Sequence, residues 1–134
     1  MHEEQIKVLI IEDNADLSEM FKTAFEAKGY EAQISLNGMD GITKAAEWKP
    51  DVILLDIMMP QMNGYEVLSA LKNNTSLPTK VVVSSNLEQE KDEQKAMQMG
   101  ADLYLKKSEQ TPFETVEKVA ELMGGSKPAE QAEE

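Results

Sequence analysis

The sequence predicts a single doubly wound α/β domain, and three observations carry that prediction. The runs Val8–Ile11, Val52–Leu55 and Val81–Val83 are continuously apolar, as strands buried on both faces of a parallel sheet are. Segments of helical period separate the strands. The connections are short and punctuated by Gly, Pro and Asn. With 134 residues the chain suits one domain with a core that needs no staples.

Taken in order, Lys7–Ile11 is a buried strand that ends in the acids Glu12 and Asp13. Asn14-Ala15-Asp16 opens a helix with Leu17, Met20, Phe21, Ala24 and Phe25 at amphipathic spacing, closed by Gly29. Residues 31–36 alternate polar and apolar, as an edge strand does, before the turn at Asn37-Gly38. The next helix turns Ile42, Ala45 and Ala46 inward and stops before Pro50, because the residue preceding proline avoids the helical region. The central strand, Val52–Leu55, ends on Asp56, with Pro60 and Asn63-Gly64 as loop punctuation behind it. A third helix carries Gly64, Val67, Leu68 and Leu71 and closes at Asn73-Asn74.

Pro78 leads into the strand Lys80–Val83, which ends in two hydroxyls, Ser84 and Ser85. The span from Leu87 to Met99 reads as a helix with a weak apolar face (Leu87, Ala96, Met97, Met99), loosely held and ended by Gly100. Leu103-Tyr104-Leu105 is a short strand leading to Lys106-Lys107-Ser108. Pro112 starts a last helix with Phe113, Val116, Val119, Ala120 and Met123 on or beside its inner face. The expected organisation is a flexible N-terminus at 1–5, the domain at 6–123 and a flexible acidic tail at 124–134.

Composition excludes several classes. There is no cysteine, so disulfide frameworks and cysteine-ligated metals are ruled out. The polar start, Met1-His2-Glu3-Glu4-Gln5, is not a secretory signal, and no apolar run is long enough to span a bilayer. A soluble cytoplasmic protein is the expectation. The net charge of −12, from 25 acids and 13 bases, repels nucleic acids and anionic membranes, so neither is expected as a direct partner.

Right-handed crossovers bring the carboxyl ends of the strands to one rim, where open α/β sheets carry their chemistry. That rim collects Glu12, Asp13, Asp56, Ser84, Ser85 and Lys107. Three carboxylates in a partly desolvated cleft repel one another by several kcal/mol, which a raised pKa or a hard divalent cation relieves. Mg²⁺ suits such a site. A cation over acids, beside an amine and a hydroxyl, is equipment for receiving a phosphoryl group, with Asp56 as nucleophile. Singly, each residue has an ordinary role: acids favour a helix N-terminus, serines end strands, a lysine is a surface charge and Tyr104 is a half-buried strand aromatic. Only jointly do they point to chemistry.

Asp56-Ile57-Met58-Met59-Pro60, then Met62-Asn63-Gly64, taken with Glu12-Asp13, Ser85 and the run Gly100 to Lys107, resembles the receiver domain of two-component response regulators. The resemblance covers residues from about Ile6 to Met123 and is closest in kind to standalone, chemotaxis-regulator-like receivers. It implies a flavodoxin-like fold, a five-stranded parallel sheet in the order 2-1-3-4-5 with five helices. It implies that Asp56 is the phosphoacceptor from a sensor histidine kinase or phosphotransfer protein, and that Asp13, Asp56 and the Met58 backbone carbonyl bind Mg²⁺, Glu12 acting through a water. Ser85, chosen over Ser84 by the family's spacing from Gly100, becomes the switch hydroxyl. Lys107 becomes the phosphate-pairing amine and Tyr104 the aromatic that changes rotamer. The output is then a downstream protein bound through the surface formed by the fourth helix, fifth strand and fifth helix. Catalysis is limited to the chain's own phosphorylation and dephosphorylation. The expected state is a monomer, with dimerisation on phosphorylation as an option, either standing alone or as the receiver of a longer regulator.

Two departures from the family pattern stand out. Ser108 follows Lys107 where the family has proline, commonly cis; a non-prolyl cis bond costs about 2.5–4 kcal/mol, so it is either held as functional strain or trans. Met58, two residues after Asp56, cannot hydrogen-bond an attacking water, which implies a long-lived phosphoryl group. Competing classes fit less well. A haloacid-dehalogenase-type phosphohydrolase needs a second acid where Met58 stands, and a flavodoxin-type carrier needs a phosphate-binding first loop where Glu12-Asp13-Asn14-Ala15-Asp16 would repel phosphate. A phosphorylation-independent pseudo-receiver scaffold keeps the fold and drops the chemistry.

Overall fold

The computed structural model describes residues 5–73, 78–87 and 89–124. Five strands, β1 (Lys7–Ile11), β2 (Glu31–Ser35), β3 (Val52–Asp56), β4 (Lys80–Ser85) and β5 (Leu103–Lys106), form one sheet in the order β2-β1-β3-β4-β5. Every pairing is parallel. The strand and helix order expected from the sequence is therefore the observed one. The helices are α1 (Ala15–Ala27), α2 (Gly38–Trp48), α3 (Gly64–Asn73), α4 (Glu90–Gln98) and α5 (Pro112–Leu122), with a 3₁₀ turn at Lys107–Glu109.

Strand alternation divides the core into two layers. Val8, Ile10, Leu54, Val82 and Leu105 face α1 and α5, packing on Phe21, Phe25, Val116 and Val119. Leu9, Ile11, Leu55, Val83 and Tyr104 face the other way, packing on Val67, Leu68, Leu71 and Ala96. Local chemistry fixes the helix starts. Asn14 Oδ1 accepts from Leu17 N at 3.0 Å, Asn37 Oδ1 accepts from Asp40 N at 2.8 Å, and Thr111 and Glu114 form a reciprocal capping box. Gly64 is required by space rather than by backbone angle: a Cβ there would run into the Asp56 carbonyl oxygen and the Ile57 backbone.

Several side chains expected to face inward do not. Met20 and Phe113 are more than half exposed, Met97 is exposed at 42 %, and Ala46 is exposed. In α1 the buried stripe is Ser18, Phe21 and Phe25, and in α5 it is Thr115, Val116 and Val119. Helical period identifies a stripe but not its centre, and a polar residue whose hydroxyl is satisfied can lie within it, as Ser18 does by donating to Ala15 O at 2.8 Å. Leu87 precedes α4 instead of starting it, because Ser85 and Tyr104 engage its backbone N–H and carbonyl. Ala96 is the buried residue of α4, in keeping with a weakly apolar helix.

No peptide bond among the described residues is cis, so Lys107–Ser108 is trans. Among those residues no helix is long and apolar enough to cross a membrane. The expectations for Asn74, the N-terminus before Gln5 and the tail after Gly124 fall outside the described residues.

Candidate functional site

The site sits at the carboxyl rim of β1, β3, β4 and β5, and strand parity builds it. On the face toward α1 and α5, each strand carries a core residue and, two positions on, a polar one: Ile10 then Glu12, Leu54 then Asp56, Val82 then Ser84, Leu105 then Lys107. Glu12 and Asp56 are nearly closed to solvent, at 3 % and 4 % exposure, whereas Asp13 is exposed. One carboxylate oxygen from each of Glu12, Asp13 and Asp56 lies within 4.8 Å of the others.

Lys107 reaches back across the rim to this cluster. Its Nζ lies 2.7 Å from Glu12 Oε1 and 3.2 Å from Asp56 Oδ1. Backbone donors complete the set, Asn14 N to Glu12 Oε2 at 3.1 Å and Met58 N to Asp56 Oδ1 at 3.3 Å. Burial, and then the Glu12 charge, push the Asp56 carboxyl up to about 6; the Lys107 charge and hydrogen bond and the Met58 N–H oppose them. Asp56 is thus ionised at neutral pH yet held less comfortably than an exposed acid.

Hard oxygen donors in this number suit a divalent cation such as Mg²⁺. Asp13, open to solvent, and Asp56 offer direct ligands. Both Glu12 oxygens already have partners, Lys107 and Asn14 N, which fits a role through water. The acidic cluster is one that could hold a metal ion.

A cleft of about 440 Å³ opens onto Asp56. Its walls include Glu12, Asp13, Met58, Ser84 and Lys107, with Leu17 and Phe21 of α1 and Pro112 and Thr115 of α5. Ser85 is not in that wall. It is fully buried on the opposite face of the sheet, where its Oγ accepts from Leu87 N at 2.9 Å. Tyr104 is buried beside it, its phenol donating to Leu87 O at 2.7 Å. Burial pushes that phenol up, and its hydrogen bond with Ser85 works the other way. The expected site residues therefore fall into two groups. Glu12, Asp13, Asp56, Met58 and Lys107 share the cleft, while Ser85 and Tyr104 hold the β4–α4 loop from behind. Ser84 is the cleft residue that the family spacing passes over; the two-residue strand period, readable in the sequence, places it with Asp56.

Fold and site together define a parallel α/β domain with a lysine-clamped acidic pocket at its carboxyl rim, an arrangement compatible with a phosphoacceptor. The family model described as "Response regulator receiver domain" matches residues 8–119, and the chain belongs to that family. It is 34 % identical over 106 residues to the polar-differentiation response regulator DivK of Brucella anthropi, covering 78 % of this chain and 86 % of that one. It is 31 % identical over 103 residues to protein PilG of Pseudomonas aeruginosa, covering 76 % of each. Among solved structures, the receiver domain of the Francisella response regulator 1452 superposes with a TM-score of 0.83 at 27 % identity, covering 92 % of this chain and 100 % of that one.

Proposed function

We propose that this chain is a cytoplasmic phosphorylation switch whose Asp56 accepts a phosphoryl group from the phosphohistidine of a sensor kinase or phosphotransfer protein. The observation that carries the reading is the Lys107 ammonium held between Glu12 and Asp56 at the mouth of a cleft. In the transfer, an Asp56 carboxylate oxygen forms a bond to phosphorus as the phosphorus–nitrogen bond breaks, and the imidazole nitrogen keeps the bonding pair. Asp56 must be ionised to attack, and with its pKa near 6 it is so at neutral pH. Lys107, a flexible point charge already at contact distance, follows the negative charge onto the phosphoryl oxygens.

Asp13, Asp56 and the Met58 backbone carbonyl would hold Mg²⁺, with Glu12 acting through a water. Bound there, the cation supplies neutralisation of the phosphoryl charge. The acids, Lys107 and the cleft walls do the remaining work of binding, aligning and screening. Chemistry beyond the chain's own phosphorylation and dephosphorylation is not part of this reading.

The readout runs through the second group. Ser85, Leu87 and Tyr104 form one hydrogen-bonded unit at the root of α4. A dianion on Asp56 that draws Ser85 forward frees Leu87 N and shifts α4 against β5 and α5, the surface offered to a downstream protein. The acidic surface argues against direct nucleic-acid or membrane binding. The free protein is read as a monomer, with phosphorylation the step at which dimerisation would enter.

The test is intact mass after incubation with acetyl phosphate, with and without Mg²⁺, on wild type and Asp56→Asn. One adduct that requires both Mg²⁺ and Asp56 is expected. Absence of an adduct under every condition would leave the phosphorylation-independent scaffold as the better reading.

A further inference from the structure

Two serines end β4, and they lie on opposite faces of the sheet. Ser84 is paired in register with Asp56 on the neighbouring strand, so their side chains leave the sheet on the same face, about 5 Å apart at the strand spacing. Ser85 continues the face of Val83 and Tyr104. Lys107 follows β5, and β4 lies between β5 and β3, so its arm passes over the end of β4 to reach Asp56 and Glu12. Ser84 is therefore flanked on one side by Asp56 and on the other by the residue that clamps it.

The hydroxyl there is uncommitted. Ser84 is 2 % exposed as a residue, yet it lines the cleft. Among the described residues its side chain makes no hydrogen bond. Ser85 differs on each count: it is absent from the cleft wall, and its Oγ is occupied by Leu87 N. Because the cleft reaches this residue, its hydroxyl can donate to a group that enters beside Asp56.

We propose that Ser84 is a second hydroxyl of the site, donating its O–H to a non-bridging oxygen of the phosphoryl group as that group arrives on Asp56. This deepens the phosphoacceptor reading and rests on it. Ser84 keeps its proton throughout. The phosphorus–oxygen bond to Asp56 forms, the bond to the donor's leaving group breaks, and the leaving group takes the electron pair. Ser84 contributes a fixed donor aimed where charge is carried in transfer. Before transfer the two are divided by face: Ser84 lines the cleft with Asp56, while Ser85 holds the loop beside Tyr104 until the dianion draws it forward.

The experiment follows the rate of adduct formation by intact mass with acetyl phosphate and Mg²⁺, on wild type, Ser84→Ala, Ser84→Cys and Ser84→Thr, each first checked for a cooperative urea transition. Loss of the donor slows formation roughly 10-fold in Ser84→Ala, the fold-change of one ordinary net hydrogen bond. Ser84→Cys keeps the volume but offers only a weak S–H donor, so it is slowed comparably even if the alanine variant fails to fold. Ser84→Thr keeps the hydroxyl and stays within about 3-fold of wild type. Wild-type rates in folded Ser84→Ala or Ser84→Cys would overturn the proposal, as would a Ser84→Thr variant as slow as Ser84→Ala. Absence of an adduct on wild type is a different failure, since it removes the phosphoacceptor reading itself and the Ser84 role with it.

Discussion

Lys107 pairs more closely with Glu12, at 2.7 Å, than with Asp56, at 3.2 Å. Its side chain is only 14 % exposed and the acids' are 4 % exposed, so this is a largely desolvated ion cluster and not a surface pair. The lysine is thus anchored on Glu12 and shared with Asp56.

That sharing predicts the effect of removing it. Lys107→Met leaves two buried carboxylates facing each other without their cation, and breaking such a cluster costs roughly 3 kcal/mol near pH 8. Urea denaturation in a metal-free buffer measures it. The loss shrinks on acidification, because protonating one acid relieves the repulsion. A Lys107→Met variant as stable as wild type at pH 8 would show the pair to be incidental.

Asp56 supplies a pH signature of its own. Its folded pKa, about 6, lies above its ordinary value of 3.8, so the folded state holds this proton more tightly than the unfolded chain. Folded stability is therefore greatest below the unfolded pKa and falls as pH rises through the folded one. Asp56→Asn removes that dependence. The variant is expected to be more stable than wild type by roughly 2–3 kcal/mol at pH 8, with the gap closing toward pH 4. Equal denaturation midpoints at pH 8, in the absence of divalent cation, would contradict the strained-acid account.

Why the site was legible, and where it was not, follows from the same strand geometry. Buried strands must be apolar until they leave the core, so Glu12, Asp56 and Lys107 stand out at the ends of apolar runs. The 3.6-residue period locates α1 and α5 but does not centre their stripes, and Met20 and Phe113, at or beside the apolar face by spacing, are both exposed. Leu87 carries the right hydrophobicity for a helix start, and only its backbone partners, Ser85 and Tyr104, show that the helix begins later. Family spacing ranks Ser84 and Ser85 along the chain, whereas parity between strands ranks them across the sheet and sets Ser84 on the face of Asp56.

Met58 is expected to set the lifetime of the modification. Its side chain is 56 % exposed and lines the cleft two residues from Asp56, offering no donor or acceptor to a water approaching phosphorus. Met58→Asn supplies both. Loss of the phosphoryl group, followed by intact mass after donor removal, should quicken several-fold, less than the roughly 10²–10⁴-fold that a positioned general acid or base contributes. An unchanged decay rate would mean that water is positioned from elsewhere.

The final prediction concerns α4, the element that the proposed switch must move. Ala96 is its buried residue, so packing alone holds it weakly. Side-chain contacts supplement that packing, among them the Tyr65 phenol donating to Asp92 O at 3.5 Å. Tyr104 holds the preceding loop through Leu87 O, and the Lys95 ammonium lies 4.1 Å from the centre of the Tyr65 ring on α3. A partly exposed cation–π contact contributes about 0.5–1 kcal/mol, a factor of roughly 2–5 in a local opening equilibrium. Lys95→Gln should therefore speed hydrogen exchange of the α4 amides by about that factor. The amides of α1 and α5, which rest on the other core layer, should be unchanged. If exchange quickened equally across both layers, the substitution would have lowered global stability; if α4 exchange did not change, Lys95 would not tether the helix. The selective outcome identifies a contact, specific to this chain's Tyr65 and Lys95, that sets how readily the output helix is released.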